Sequence, residues 1–172
     1  MHTHVPQSLN GVFNTVTLSG SARFIVPLSV LVVIALLVGR RRYEALLMAA
    51  SMITAPLVSY LLKSVVERTR PALWEAPWYW GSSFPSGHTL STTAFAFAAV
   101  LCAARIWPQR RGPVTLLAGL AILWTASVAL SRMVIGVHWP TDVLASIGLG
   151  VVIPLFFKRT FDLHQRHQPE KK

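Results

Sequence analysis

Between two long apolar runs, the stretch SRMVIGVHWPTD at 131–142 keeps Arg132, His138 and Asp142 together. Ionisable side chains at or inside a bilayer are costly unless they are paired or functional, so this cluster reads as a site. An aspartate four residues after a histidine can accept a hydrogen bond from one ring nitrogen and leave the other as a lone-pair nucleophile. A second group lies in PSGHT at 85–89. Ser86 is a natural N-cap, Gly87 lets a ligand approach the backbone, and the first N–H groups of the following helix would seat an anion beside His88. A third group, KSVVERTRP at 63–71, offers Lys63 and Arg70; the helix carrying Lys63 should end before Pro71, so that Arg70 swings in from a linker.

These groups supply three permanent cations, a helix N-terminus, two histidines and one carboxylate. The set suits phosphoryl transfer, in which charge on the equatorial oxygens is neutralised while a nucleophile and a leaving-group acid sit on opposite sides. Metal-dependent hydrolysis needs more carboxylate or histidine ligands, and three cations would repel a dication, so neither a metal nor another cofactor is expected. Each cluster also has a plain reading: Lys63 and Arg70 snorkelling to headgroups, Ser86 only capping, Asp142 only favouring a helix N-terminus. Their coincidence on one side is what argues for a site.

The elements that must position these residues are membrane spans. A 172-residue chain has the size of one domain, 1–172, and its 53% hydrophobic content and mean hydropathy of +0.52 are too high for an ordinary soluble one. Five stretches, 22–39, 44–66, 87–107, 113–131 and 141–158, reach the roughly 17 to 25 residues a crossing helix needs. The fold class is therefore all-α, a polytopic transmembrane helix bundle. The 5–20 stretch is too short and too rich in Ser, Thr and Asn to cross, and is expected as an interfacial segment within an external N-terminal part, 1–21.

Sixteen Lys and Arg against six Asp and Glu give a net charge of +10, which in a soluble protein would suggest nucleic acid. Here the basic residues sit at the ends of apolar runs, at 40–42, 110–111, 158–159 and 171–172, so the charge is topological and nucleic acid is excluded as a partner. The positive-inside rule makes that side cytoplasmic, with a cytoplasmic tail at 159–172. The N-terminus and the linkers 67–86 and 132–140 then lie outside. Trp74, Trp78, Tyr79 and Trp80 fit an interfacial belt, with a substrate-binding lip as the alternative. Cys102 lies inside an apolar run, so no intrachain disulfide can form. No basic n-region precedes the first long apolar run, so a removed signal peptide is not expected. His2 and His4 belong to a polar terminus, and His164 and His167, spaced i, i+3, to a solvated tail rather than a metal site.

The three clusters resemble the signature of the type 2 phosphatidic acid phosphatase superfamily, K-x6-R-P, P-S-G-H and S-R-x5-H-x3-D. Lys63, Arg70 and Pro71 fit the first part, Pro85 to His88 the second, and Ser131, Arg132, His138 and Asp142 the third, without departure in type or spacing. The resemblance implies a membrane lipid phosphatase in which His138 is the nucleophile that forms a phosphohistidine and Asp142 orients it. It makes His88 the residue that protonates the leaving group and then helps activate water, with Lys63, Arg70, Arg132, Ser86 and Gly87 holding the phosphate oxygens. Membrane members typically have six spans, and this chain matches the pattern without the first; a homodimer contact could replace the missing wall.

The expected function is hydrolysis of a polyprenyl diphosphate, phosphatidylglycerol phosphate or phosphatidic acid at the outer face. A short chain without further domains points to a bacterium, hence to the inner membrane with the site facing the periplasm. A phosphotransferase that passes the group to a lipid acceptor would use the same residues. A non-catalytic carrier or phospholipid-binding protein would need the cations but not the His138 and Asp142 pairing, and soluble relatives with these motifs lack the spans.

Overall fold

The computed structural model describes residues 7–71 and 81–167, which form six helices. These are α1 (Gln7–Ser19), α2 (Ala22–Val38), α3 (Arg42–Val66), α4 (Gly87–Ile106), α5 (Arg111–Val134) and α6 (Pro140–His167). The expected aromatic residues Trp74, Trp78, Tyr79 and Trp80, and His2 and His4, lie outside the described residues.

Five apolar stretches, Gly11–Val38, Arg42–Val66, Gly87–Ile106, Arg111–Val134 and Pro140–Arg166, are long and apolar enough to cross a membrane. In hydrocarbon every backbone N–H and C=O must be satisfied within its own segment, and runs such as FIVPLSVLVVIALLV achieve that as helices. Large apolar side chains including Leu31, Ile53, Ile122 and Leu144 project outward, as lipid-facing residues do. The inward packing uses small residues. Ala55, Leu90, Ala94 and Ile153 form one buried cluster, and Met48, Phe95 and Ala98 another, against which Trp124 packs. Helices can approach closely in lipid where side chains are small. Gly150 shows how closely: a Cβ there would lie 2.5 Å from Thr93 Cβ and 3.0 Å from the Leu90 carbonyl, so the α4/α6 crossing requires glycine. α4 is the central helix, packing on α2, α3, α5 and α6.

Three helix boundaries differ from, or refine, the sequence expectations. α5 runs on to Val134, so Arg132 lies inside its last turn rather than beyond its end. The guanidinium is buried, and a buried arginine facing a polar interior does not terminate a helix as hydropathy alone suggests. α6 runs on to His167, so the segment expected as a cytoplasmic tail is helical over 159–167, held where the Tyr43 hydroxyl donates to Asp162 Oδ1 at 2.6 Å and Phe161 meets the Tyr43 ring. α3 ends four residues before Arg70, as Pro71 demands; Glu67 takes the left-handed conformation at φ 46° and closes the helix. The N-terminal segment forms α1, which is tied to α5 by Thr17 Oγ1 to Ser131 Oγ at 2.7 Å and Trp124 Nε1 to Ser19 Oγ at 2.9 Å.

Candidate active site

The antiparallel run of α3 to α6 brings the end of α3, the start of α4, the end of α5 and the start of α6 to one end of the bundle. Lys63 is in the last turn of α3, Gly87 and His88 open α4, Arg132 is in the last turn of α5, and Asp142 is in the first turn of α6. His138 stands in the short connection before α6, and Arg70 reaches in from the linker after α3. All eight sequence-nominated residues therefore gather at this end, including Ser86, which caps α4 by accepting from the Thr89 N–H.

The segment 81–86, with a cis Phe84–Pro85 bond, runs through the middle of this end. Lys63 Nζ donates to the Ser82 carbonyl. Arg70 donates to the carbonyls of Gly81, Val137 and Ser82 at 3.2, 2.9 and 3.3 Å, which ties this segment to the one before α6. The Ser83 N–H donates to the Arg68 carbonyl at 2.8 Å. The Ser86 N–H donates to Ser146 Oγ at 2.8 Å, and Ser146 Oγ donates to the Asp142 carbonyl at 2.6 Å, so the starts of α4 and α6 are joined.

His138 is 5% exposed. Its Nδ1 lies 2.7 Å from the Ser83 carbonyl oxygen and 3.6 Å from Asp142 Oδ2. A carbonyl oxygen can only accept, so Nδ1 carries the proton and Nε2 keeps its lone pair. The sequence reading gave the hydrogen bond on that ring to Asp142, and the geometry corrects it: the Ser83 carbonyl is the partner. Burial pushes the imidazole well below the usual histidine range, and the positive charges of Arg132, Arg70 and Lys63 push it further. The ring is thus neutral, with a free lone pair, at neutral pH.

Asp142 is fully buried, and its two oxygens are engaged elsewhere. Oδ1 accepts from Arg68 Nη1 at 2.7 Å and Oδ2 from the Trp139 N–H at 2.9 Å. Sequence reasoning missed both Arg68 and Ser83. Arg68 was visible as an additional base inside KSVVERTRP, but Ser83 acts through its backbone carbonyl and left no side-chain signal.

A cleft of about 320 Å³ runs from this end between α2, α3 and α4. Lys63, Gly87, His88 and Ser91 line its polar side and Ile25, Val26, Met52 and Pro56 its apolar side. A phosphate seated among the cations could thus keep an apolar tail attached. Among the described residues no three His, Cys, Asp or Glu side chains converge as a metal site would require.

The profile of the PAP2 superfamily matches residues 44–166. The chain is 30% identical over 158 residues to phosphatidylglycerophosphatase B of Bacillus subtilis (strain 168), covering 90% of this chain and 75% of that one. It is 36% identical over 120 residues to decaprenylphosphoryl-5-phosphoribose phosphatase of Mycobacterium tuberculosis (strain CDC 1551 / Oshkosh), covering 66% of this chain and 59% of that protein. The crystal structure of a transmembrane PAP2 type phosphatidylglycerolphosphate phosphatase from Bacillus subtilis superposes with a TM-score of 0.84 at 26% identity, over 96% of this chain and 82% of that one.

Proposed function

Since the chain belongs to the PAP2 superfamily, a family of phosphoric ester hydrolases, we propose that this multi-pass membrane phosphatase removes a terminal phosphate from a lipid through a phosphohistidine on His138. The observation that carries this reading is the ring of His138: neutral, proton on Nδ1, and surrounded by Lys63, Arg70 and Arg132. Nε2 attacks phosphorus, the P–O bond to the lipid breaks, and His88, which takes up a proton as the anionic phosphate binds beside it, gives that proton to the departing oxygen. Water then attacks the phosphorus, His88 takes the proton back, and inorganic phosphate leaves as the P–N bond breaks. Through both steps the three cations and the α4 N-terminus carry the oxygen charge. Ser86 and Gly87 shape that N-terminus.

The names of the two relatives both describe a phosphate on a lipid or polyprenyl carrier, which supports a membrane phosphomonoester as first candidate and keeps a polyprenyl diphosphate as a further one. The cleft along Ile25, Val26 and Met52 suits the apolar part of such a molecule. The crowd of cations disfavours a bound dication, so the reaction is assigned no metal. By the distribution of Arg40–Arg42, Arg110 and Arg111, the site faces outward and the C-terminus the cytoplasm.

Phosphate release in detergent with EDTA tests this. Phosphatidylglycerol phosphate, phosphatidic acid and undecaprenyl diphosphate are each offered to the wild type and to His138→Ala. Release that survives EDTA and disappears in the variant, with an acid-labile phosphoprotein trapped from the wild type only, is the expected result. Release that persists in His138→Ala, or that EDTA abolishes, contradicts it.

A further inference from the structure

Asp142 does not serve His138 alone. Arg68 Nη1 binds Asp142 Oδ1 at 2.7 Å and also reaches Thr141 Oγ1 at 2.6 Å. Its guanidinium lies 5.4 Å from the Trp139 ring centroid, a cation–π distance. The Trp139 indole N–H returns a hydrogen bond to the Thr69 carbonyl at 3.0 Å, and Ser83 Oγ donates to the same carbonyl at 3.1 Å. Segment 68–70 is thus sewn to 137–142 on one side and to 81–83 on the other. Arg68 occupies an unspecified position of the K-x6-R-P pattern, so the signature gives it no role.

We propose that Arg68 is a positioning residue, holding the Asp142 carboxylate on itself and so leaving the His138 Nδ1–H on the Ser83 carbonyl with Nε2 aimed at phosphorus. This rests on the phosphohistidine reading. The charged and titratable groups around the imidazole are Lys63 from α3, His88 from α4, Arg132 from α5, Asp142 from α6 and Arg70 from the linker. Asp142 alone among them favours the imidazolium, and Arg68 offsets it. Without Arg68 the carboxylate still has the His138 Nδ1–H 3.6 Å away. The ring would turn toward Asp142, Nε2 would shift, and protonation would become easier.

The test compares wild type, Arg68→Gln and Arg68→Lys in detergent. kcat and KM are measured with phosphatidylglycerol phosphate, and the His138 ring is titrated by imidazole NMR without substrate, its signal assigned by loss in His138→Ala. For Arg68→Gln, kcat falls by roughly 10- to 100-fold, the scale of a small displacement of a reacting group, with KM within about twofold. The His138 titration moves up toward the ordinary histidine range, and Arg68→Lys recovers much of both. Unchanged kcat, a loss carried in KM, or a titration that does not move overturns the proposal. If Arg68→Gln does not fold, Trp139→Phe, which deletes the bond to Thr69, carries the test: a fall in kcat at constant KM supports the proposal and full kcat overturns it. Absence of hydrolysis by the wild type would overturn the phosphatase reading instead, and the titration would still decide the role of Arg68.

Discussion

The two ends of the bundle each hold a polar cluster built from several helices, and they differ in how charge is matched. At the end opposite the motifs, Arg105 Nε faces Glu44 Oε1 at 3.4 Å and its guanidinium lies 3.9 Å from the Tyr43 ring centroid. Lys158 binds Asp162 at 2.7 Å, and the Tyr43 hydroxyl donates to the same carboxylate. There Arg105 and Lys158 each meet a carboxylate. At the motif end Lys63 and Arg70 rest on backbone carbonyls, Arg132 is buried beside them, and the carboxylate of Asp142 is already matched by Arg68. A matched cluster fastens helices together. A cluster with surplus positive charge, held on carbonyls an anion can replace, fits the phosphate site proposed above.

The largest effect that would break or sharpen this contrast is expected from Arg132→Met. Phosphate release should fall by about 10²- to 10³-fold, the scale of removing one preorganised donor from a transition state. The thermal unfolding midpoint in the same detergent should change little, because the substitution relieves a crowd of like charges. Retained release with a collapsed midpoint would make Arg132 a structural residue and erase the difference between the two ends.

Arg105→Met should do the reverse. It leaves Glu44 buried without its cation, yet Arg105 is itself about half exposed, so the loss is about 1–2 kcal/mol rather than the larger cost of breaking a fully buried pair. A midpoint lower by a few degrees with phosphate release within about twofold of wild type is the expected outcome. A large drop in kcat would show that the two ends are coupled. The smallest effect belongs to Tyr43→Phe, which removes the hydroxyl from Asp162 and costs about 0.5–1.5 kcal/mol with no change in kcat.

Five spans and their approximate limits were legible because apolar run length is a local property. The same holds for the early end of α3, dictated by Pro71. Local reading stops short at two charged residues: the last turn of α5 takes in Arg132, which is buried, and α6 continues past the exposed Arg159 to His167. The site was legible as a set of side chains, since Lys63, Arg70, Ser86, Gly87, His88, Arg132, His138 and Asp142 all meet at one end. Its wiring was not. The spacing of His138 and Asp142 predicted a direct hydrogen bond, and the two do stand near one another at 3.6 Å, but each has taken a different partner.

The sequence by itself therefore determined the number of spans, the ends at which charge collects, and which side chains to propose for phosphoryl transfer, because these follow from composition, spacing and chemical type. Only the tertiary structure decided that the Ser83 carbonyl, 55 residues from His138, holds its ring, and that Arg68, 74 residues from Asp142, holds the carboxylate. Spacing along one chain segment fixes which side chains lie within reach, but a hydrogen bond goes to the best-placed partner, and that partner arrived from another part of the chain.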